Sequence, residues 1–283
     1  PRHPFLPPQR IEATQPFPTN GAFGPRLSRA VGQARPVDYR PSLESISRNG
    51  VPVVTDVAAR KRGWLVGFSS RRGGVSAPPY DTLNLAALGG DRPQDVVENR
   101  DRAAIALGFA PHALALARQV HSAGLLEVIA GQAGVLGEAD VLVAREPGPV
   151  LGILTADCAP VLMMGERGIA VAHAGWRGLV AGAIEKAVDA IGPVAAAWIG
   201  PCIHACCYEV GPEVIAAFRA AGLPVAAAGR VDPEQASAFA LARAEVEHVA
   251  VAGVCTSCSP DYFSYRRDGV TGRQGAFLAA ADG

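Results

Sequence analysis

The sequence predicts an α+β (mixed α/β) protein: a single domain of mixed β-sheets flanked by helices, with its active site at strand ends. Two observations support this prediction. Short apolar segments with branched side chains, typical of buried strands, recur from Trp64 onward. They alternate imperfectly with amphipathic segments such as residues 93–107, so a purely parallel sheet is not expected.

Composition limits the possible functions. The 283 residues are 49% hydrophobic and contain 26 basic and 26 acidic side chains. Zero net charge argues against a dedicated nucleic-acid or membrane-surface binder, and no apolar segment reaches the roughly 20 residues of a membrane span. Six clustered cysteines are too few for a disulfide scaffold in this length. We therefore expect reduced thiols, a cytoplasmic location and a monomer or homodimer.

The first part of the chain is rich in proline and poor in periodic apolar positions. We predict that residues 1–60 are a disordered or loosely attached extension and that residues 61–283 form the catalytic domain. A strand is expected at residues 64–68. The segment Arg71-Arg72-Gly73-Gly74 after it could bind an anion through backbone N–H groups and guanidinium donors. An ordinary exposed turn is the alternative.

A helix is predicted over residues 93–107, because Pro93 suits a first turn and Gly108 suits a helix end. A strand ending near Val120 would carry His121 into a loop, although an ordinary polar residue is the alternative there. The apolar passage 150–164 is interrupted around Cys158. The break would turn Cys158 toward a cleft, whereas a buried inert thiol is the alternative.

The segment from Gly168 to Gly178, G-I-A-V-A-H-A-G-W-R-G, indicates a buried strand that ends at His173. A helix with a period near 3.6 residues is predicted to follow, from Leu179 to Ile191. An imidazole at such a strand-to-helix corner could contact a bound ligand, because the small residues around it let a ligand approach the backbone. A satisfied core histidine is the alternative.

Two further cysteine patterns occur near the end of the chain. Three thiols and His204 lie within residues 202–207, which suggests a metal, but no matching pair at zinc-finger spacing lies nearby in the sequence. The C-x-x-C at residues 255–258 lacks the helix-opening context of a thioredoxin motif. The Ala-rich stretch at residues 226–240 shows no clear pattern.

Eight motifs occur in order along the chain. They are F-S-S-R-R-G-G-V-S at 68–76, P-Y-D-T-L-N-L at 79–85, Q-V-H-S at 119–122, T-A-D-C-A-P-V-L at 155–162, A-H-A-G-W-R-G at 172–178, G-P-C-I at 200–203, C-Y-E-V-G at 207–211 and F-S-Y-R-R-D-G-V-T-G-R at 263–273. Together they strongly resemble the laccase-domain family, also called the multicopper polyphenol oxidase family or peptidoglycan editing factor, whose members include purine nucleoside phosphorylases. The resemblance covers about Trp64 to Ala280, so the predicted catalytic domain is laccase-like.

The resemblance implies a metal site formed by His121, Cys158 and His173. Two imidazoles and one thiolate suit zinc better than copper, and three protein ligands leave a fourth position open. It also implies catalytic roles for Arg71, Cys158, His173 and Arg177, with Arg71 as the first choice for binding phosphate. Substrate contacts are expected from Arg71, Tyr80, Asn84, Gln119 and Asp157.

Three functions follow from the resemblance. The first is a zinc-dependent purine nucleoside phosphorylase that cleaves adenosine, inosine or guanosine with phosphate, with adenosine deamination and methylthioadenosine cleavage as further activities. The second is a cysteine hydrolase that edits peptidoglycan precursors, with Cys158 as nucleophile and His173 as base. The third is copper-dependent polyphenol oxidation, which the lack of any H-x-H pair disfavours. A zinc-stabilised binding domain without turnover is the non-enzymatic alternative.

Overall fold

Two mixed β-sheets pack face to face and carry helices on their outer faces. The structure is a computed structural model that describes residues 39–280. The thirteen strands in this part of the chain are β1 Glu44–Arg48, β2 Val51–Thr55, β3 Trp64–Ser69, β4 Leu114–Arg118, β5 Leu125–Glu127, β6 Gly134–Glu138, β7 Val141–Ala144, β8 Val150–Thr155, β9 Ala159–Gly165, β10 Gly168–Ala174, β11 Val194–Ile199, β12 Val249–Val251 and β13 Gln274–Ala280.

The helices within residues 39–280 are mostly short. They are α1 Val57–Lys61, α2 Pro93–Leu107, α3 Trp176–Val180, α4 Ala183–Ile191, α5 Pro212–Ala220, α6 Pro233–Arg243 and α7 Tyr265–Asp268. A 3-10 turn spans Pro111–Ala113. No helix within residues 39–280 is long and apolar enough to cross a membrane.

Sheet topology confirms the prediction of mixed sheets. Sheet A has the order β1-β2-β3-β13-β8-β4-β6, and sheet B has the order β12-β11-β9-β10-β7-β5. The central pairs are antiparallel, as in β10 with β9 and β13 with β8. Parallel pairs lie toward the edges, as in β4 with β6 and β11 with β12.

The alternation of side chains along each strand builds the layers. On β9, Leu162 faces the core between the sheets, whereas Val161 and Met163 face the helices. β11 repeats the pattern, with Trp198 between the sheets and Ile199 on the helix side. A period of two residues on a strand buried on both faces explains the continuous apolar segments of the sequence. The layers are therefore α2, sheet A, sheet B and the helices α3 to α6.

Three expectations are corrected by the structure. Residues 39–60 contain β1, β2 and α1, and β2 pairs with β3, so the boundary expected at residue 60 does not hold for this part. Residues 1–38 lie outside the described residues, and the extension there stays a prediction.

The single helix expected from Leu179 is two helices, because Gly182 adopts a left-handed φ of 77° between them.

The third correction concerns residues 226–240, where α6 begins at Pro233. Asp232 accepts a hydrogen bond from the Gln235 N–H and Pro233 occupies the first turn. An N-cap carboxylate followed by proline is a recognised start signal for a helix. The Ala-rich composition obscured it, because alanine gives little contrast between the two faces of a helix.

The carboxylate of Asp56 ties the N-terminal strands to sheet B. Asp56 is fully buried, and its Oδ2 accepts hydrogen bonds from the Tyr39 hydroxyl, the Ser42 N–H and Trp198 Nε1. Its Oδ1 caps α1 by accepting from the Ala59 N–H at 2.9 Å. A buried carboxylate is tolerated when its lone pairs are matched by donors, as here.

We predict that Asp56→Asn lowers the free energy of unfolding by about 2–4 kcal/mol, because one oxygen becomes an NH₂ donor facing other donors. Denaturant unfolding of the purified variant measures the change. Asp189→Asn is the matched control, since Asp189 is exposed on α4 and should change stability by less than about 0.5 kcal/mol. Equal effects of the two substitutions would contradict this role for Asp56.

Candidate active site and metal centre

The three predicted metal ligands meet where the chain passes between the two sheets. His121 follows β4 of sheet A and precedes β5 of sheet B, and Cys158 lies between β8 of sheet A and β9 of sheet B. His173 is near the end of β10. Two sheet-to-sheet connections and one strand end thus deliver three side chains to a single point.

The geometry of these three side chains fits one ion. One ligand atom from each of His121, Cys158 and His173 lies within 4.8 Å of the others. His121 Nε2 is 3.9 Å from Cys158 Sγ, and the two imidazole centroids are 4.8 Å apart. His173 is buried, Cys158 is half-buried and His121 is exposed, so the site is reachable from solvent on one side.

Asp140 orients two of the ligands. Its carboxylate is fully buried, and Oδ1 lies 2.8 Å from His173 Nδ1, which leaves Nε2 of that ring for the site. The same carboxylate accepts hydrogen bonds from the N–H groups of Val120, His121 and Ser122 and from the Ser122 hydroxyl. At metal sites, the ring nitrogen of a histidine ligand that does not bind the metal commonly donates a hydrogen bond to a carboxylate, which fixes the tautomer and the orientation of the ring.

The charges in this cluster are strongly coupled. Burial opposes ionisation of Cys158, but the positive charge of His173 and the hydrogen bond from His121 lower the pKa of its thiol to about 6. Burial likewise opposes a charged His173, but the Cys158 thiolate and Asp140 raise its pKa to about 9. The pKa of Asp140 falls below its usual range, since hydrogen bonds from His173 and Ser122 outweigh burial. Cys158 is therefore a thiolate near neutral pH, and a metal ion would displace the His173 proton.

Gly175 leaves room for the cluster. A Cβ at this position would lie 3.0 Å from Cys158 Sγ and 3.1 Å from His121 Cδ2. Both contacts are tighter than ordinary van der Waals separations, so any larger residue would displace a ligand. This close approach explains the glycine in the A-H-A-G-W-R-G motif.

The cluster lies in a cavity of about 630 Å³, a size typical of small-molecule sites. The lining is unusually rich in guanidinium groups. Five arginines contribute to it: Arg100, Arg118, Arg177, Arg266 and Arg273. Arg118 is paired with Glu138, whereas the other four form no ion pair with any residue in the range 39–280. The cavity is therefore suited to an anionic ligand.

Arg71, the first choice for binding phosphate, is held by two carboxylates outside the cavity lining. Its guanidinium contacts the Asp81 carboxylate at 3.0 Å and the Asp268 carboxylate at 3.5 Å, and it lies over the Phe263 ring. It is not among the described residues that line the cavity. Arg177, the second choice, does line the cavity, is exposed and lies over the Trp176 ring.

The other predicted substrate residues divide into two groups. Gln119 and Asp157 line the cavity, and the amide of Gln119 is hydrogen-bonded to both backbone groups of Leu154. Tyr80 and Asn84 do not line it among the described residues. Tyr80 donates to the Gly89 carbonyl. The buried Asn84 accepts from the Arg273 N–H at 2.9 Å and is hydrogen-bonded to both backbone groups of Ala86, so it contacts two residues that line the cavity.

Sequence reasoning missed three functional candidates: Asp140, Arg100 and Arg273. Asp140 was visible only as a polar residue at the start of an apolar strand, which could have marked it as a paired buried carboxylate. Arg273 ends a recognised motif, but nothing in the sequence places it against the Q-V-H-S and A-D-C segments.

Comparisons with known proteins identify the family of this chain. The family described as multi-copper polyphenol oxidoreductase laccase matches residues 65–281. Purine nucleoside phosphorylase YfiH of Escherichia coli (strain K12) is 40% identical in an alignment 223 positions long that covers 74% of this chain and 91% of that protein. Purine nucleoside phosphorylase of Deinococcus radiodurans is 43% identical in an alignment 225 positions long that covers 75% of this chain and 87% of that protein.

Solved structures show the same fold. YlmD from Geobacillus stearothermophilus aligns with a TM-score of 0.76 and 30% identity, covering 86% of this chain and all of that one (100%). The hypothetical protein YfiH of Bacillus licheniformis aligns with a TM-score of 0.77 and 27% identity, covering 84% and 98%. By sequence and by fold, this chain belongs to the multi-copper polyphenol oxidoreductase laccase family.

Proposed function

We propose that this protein is a zinc-dependent purine nucleoside phosphorylase that cleaves adenosine, inosine or guanosine with phosphate. The observation that supports it most strongly is the His121–Cys158–His173 cluster in a cavity lined by four arginines that form no ion pair within residues 39–280. A ligand with both a polar reacting centre and an anionic group suits such a cavity. Relatives at 40% and 43% identity bear the name purine nucleoside phosphorylase.

The donor set fits zinc. Imidazole and thiolate are its preferred ligands, and three protein ligands are typical of catalytic rather than structural zinc sites. Asp140 supplies the partner that such a histidine ligand needs. A divalent ion held there would supply a Lewis acid that stabilises negative charge developing in the substrate.

In phosphorolysis, a phosphate oxygen forms a bond to C1′ of the ribose while the C1′–N9 bond breaks. The electron pair of the broken bond passes to the purine, which takes up a proton. We assign the phosphate to Arg177 and Arg273, because both line the cavity and neither is neutralised by a carboxylate among the described residues. Planar guanidinium groups can offer two parallel donors to phosphate oxygens.

The purine needs an apolar, flat environment. Trp176 and Tyr208 line the same cavity, and each is already stacked beneath a guanidinium, Arg177 at 4.3 Å and Arg266 at 5.0 Å. Aromatic faces and guanidinium planes both suit a purine ring. Adenosine deamination and methylthioadenosine cleavage belong to the same proposal, since they use the same nucleoside cavity.

A cysteine hydrolase that edits peptidoglycan precursors is the second candidate, and one observation favours it. The lowered pKa of Cys158 beside His173 would also suit a nucleophilic thiolate. Copper-dependent polyphenol oxidation has less support. A three-copper cluster needs many histidines, and the other candidate metal group within residues 39–280 contains only cysteines.

The thiols also bear on location. All six cysteines are free, including pairs of Sγ atoms separated by 3.3 and 3.6 Å. We propose a cytoplasmic location, because reduced thiols available for metal binding are typical of a reducing compartment.

We predict that Cys158→Ser loses the zinc ion held by His121, Cys158 and His173 and loses phosphorolysis with it. A serine hydroxyl is hard to ionise and binds zinc far more weakly than a thiolate, so affinity should fall by orders of magnitude. Metal analysis and phosphate-dependent release of hypoxanthine from inosine measure the two effects. Cys202→Ala is the matched control, because Cys202 belongs to neither candidate metal group and should keep both properties.

A Cys158→Ser protein with full zinc content and no turnover would contradict the zinc enzyme and favour the cysteine hydrolase. Removing the metal with a chelator also distinguishes the zinc enzyme from the cysteine hydrolase. It should abolish a zinc-dependent reaction, whereas it should spare a reaction in which Cys158 acts as a free nucleophile.

For the phosphate site, we expect Arg177→Gln and Arg273→Gln to raise the phosphate KM about 10- to 100-fold, because each removes a charge-assisted hydrogen bond. Zinc content should not change. Arg71→Gln should affect phosphate KM less and thermal stability more, since two carboxylates already neutralise Arg71. Steady-state kinetics at saturating inosine measure the phosphate KM. The assignment fails if Arg71→Gln raises it most.

A further inference from the structure

A second cluster of metal-binding side chains lies outside the site already described. Cys206 and Cys207 lie on the turn after β11, and Cys255 and Cys258 lie on the turn after β12. Their four Sγ atoms lie within 4.8 Å of one another. The two groups of cysteines are about fifty residues apart in the sequence, and neither alone has the ligands to hold an ion.

We propose that Cys206, Cys207, Cys255 and Cys258 bind a structural zinc ion. A tetrahedral tetrathiolate site with Zn–S bonds of 2.3 Å requires sulfur–sulfur separations of about 3.8 Å. The measured separations of 3.6 Å for Cys206–Cys258 and 3.3 Å for Cys207–Cys258, with the others reaching at most 4.8 Å, bracket that value. Such short separations fit one ion rather than a cluster of several.

The surroundings suit a structural ion. The ligand set is complete with four thiolates, so no position is left open for a substrate. Cys255 is buried and its Sγ accepts a hydrogen bond from the His204 N–H at 3.4 Å, the kind of contact that stabilises a bound thiolate. Cys206 and Cys258 are exposed, which gives an ion a path of entry.

The cluster joins two turns that both hold Asp157, a residue that lines the cavity. The first turn contributes Ile203, whose N–H donates to the Asp157 carbonyl at 2.8 Å. The second contributes Thr256, whose hydroxyl donates to Asp157 Oδ1 at 2.7 Å. Asp157 has a left-handed φ of 92°, a strained conformation for a residue other than glycine that persists only when its surroundings hold it. A zinc ion between the turns would therefore hold the residue next to Cys158 in place.

A disulfide is the competing state of these thiols, because Cys207 and Cys258 are close enough to be oxidised with a small movement. Oxidation would consume two ligands and exclude the ion. The experiment must therefore distinguish a zinc-bound cluster, a disulfide and four free thiols.

The first measurement uses the full chain purified with a reductant and without chelator. We expect about two zinc ions per chain, and a Cys206→Ser/Cys258→Ser variant should keep one. Cys158→Ser should also keep one, because it disrupts only the first site. Zinc content therefore shows separately whether each site binds metal, and loss at one leaves the other proposal standing.

The second measurement needs no variant. In native wild-type protein, the four cluster thiols should resist alkylation until a chelator is added, and cobalt substitution should give the intense thiolate-to-metal absorption of a tetrathiolate site. The proposal is overturned if the four thiols alkylate readily without chelator. It is overturned equally if mass spectrometry finds a Cys207–Cys258 disulfide in reductant-treated protein, or if the double variant binds as much metal as the wild type.

Discussion

The buried carboxylate of Asp140 is the interaction on which the site depends. It accepts hydrogen bonds from three consecutive backbone N–H groups, from the Ser122 hydroxyl and from His173. A buried charge is costly unless its lone pairs are matched, and here all the matching donors belong to the site. The same bonds that stabilise the carboxylate therefore fix the positions of two proposed metal ligands, so the stability of the fold and the geometry of the site are linked.

The two-sheet architecture explains why the site lies where it does. The chain crosses from sheet A to sheet B after β4 and again after β8, and these crossings carry His121 and Cys158. Crossings cannot follow regular strand geometry, and both His121 and Asp157 adopt positive φ values, 59° and 92°. Their neighbours hold these conformations: Asp140 binds the N–H of His121, and Thr256 and the Arg266 N–H bind the carboxylate of Asp157.

The sequence predicted strands such as β9 and β10, and it indicated His121, Cys158 and His173 as candidate ligands, because those features are local. Apolar periodicity marks β9 and β10, and the motifs around His121, Cys158 and His173 are long enough to indicate a family. What it could not predict depends on pairing across distance. Asp140 and His173 are 33 residues apart, and the cysteine pairs at 206–207 and 255–258 each looked incomplete until the adjacent strands β11 and β12 brought them together. The ion pair of Arg71 with Asp268 was not predicted for the same reason, since the two residues are 197 positions apart.

The proposed function requires that His121, Cys158 and His173 hold one zinc ion in the arginine-lined cavity. Anomalous scattering at the zinc edge, from crystals of protein purified without chelator, can locate that ion. We predict a peak about 2.0–2.1 Å from the Nε2 atoms of both histidines and about 2.3 Å from Cys158 Sγ. An absence of any peak at these three side chains, in crystals that do show zinc at the four-cysteine cluster, would contradict it.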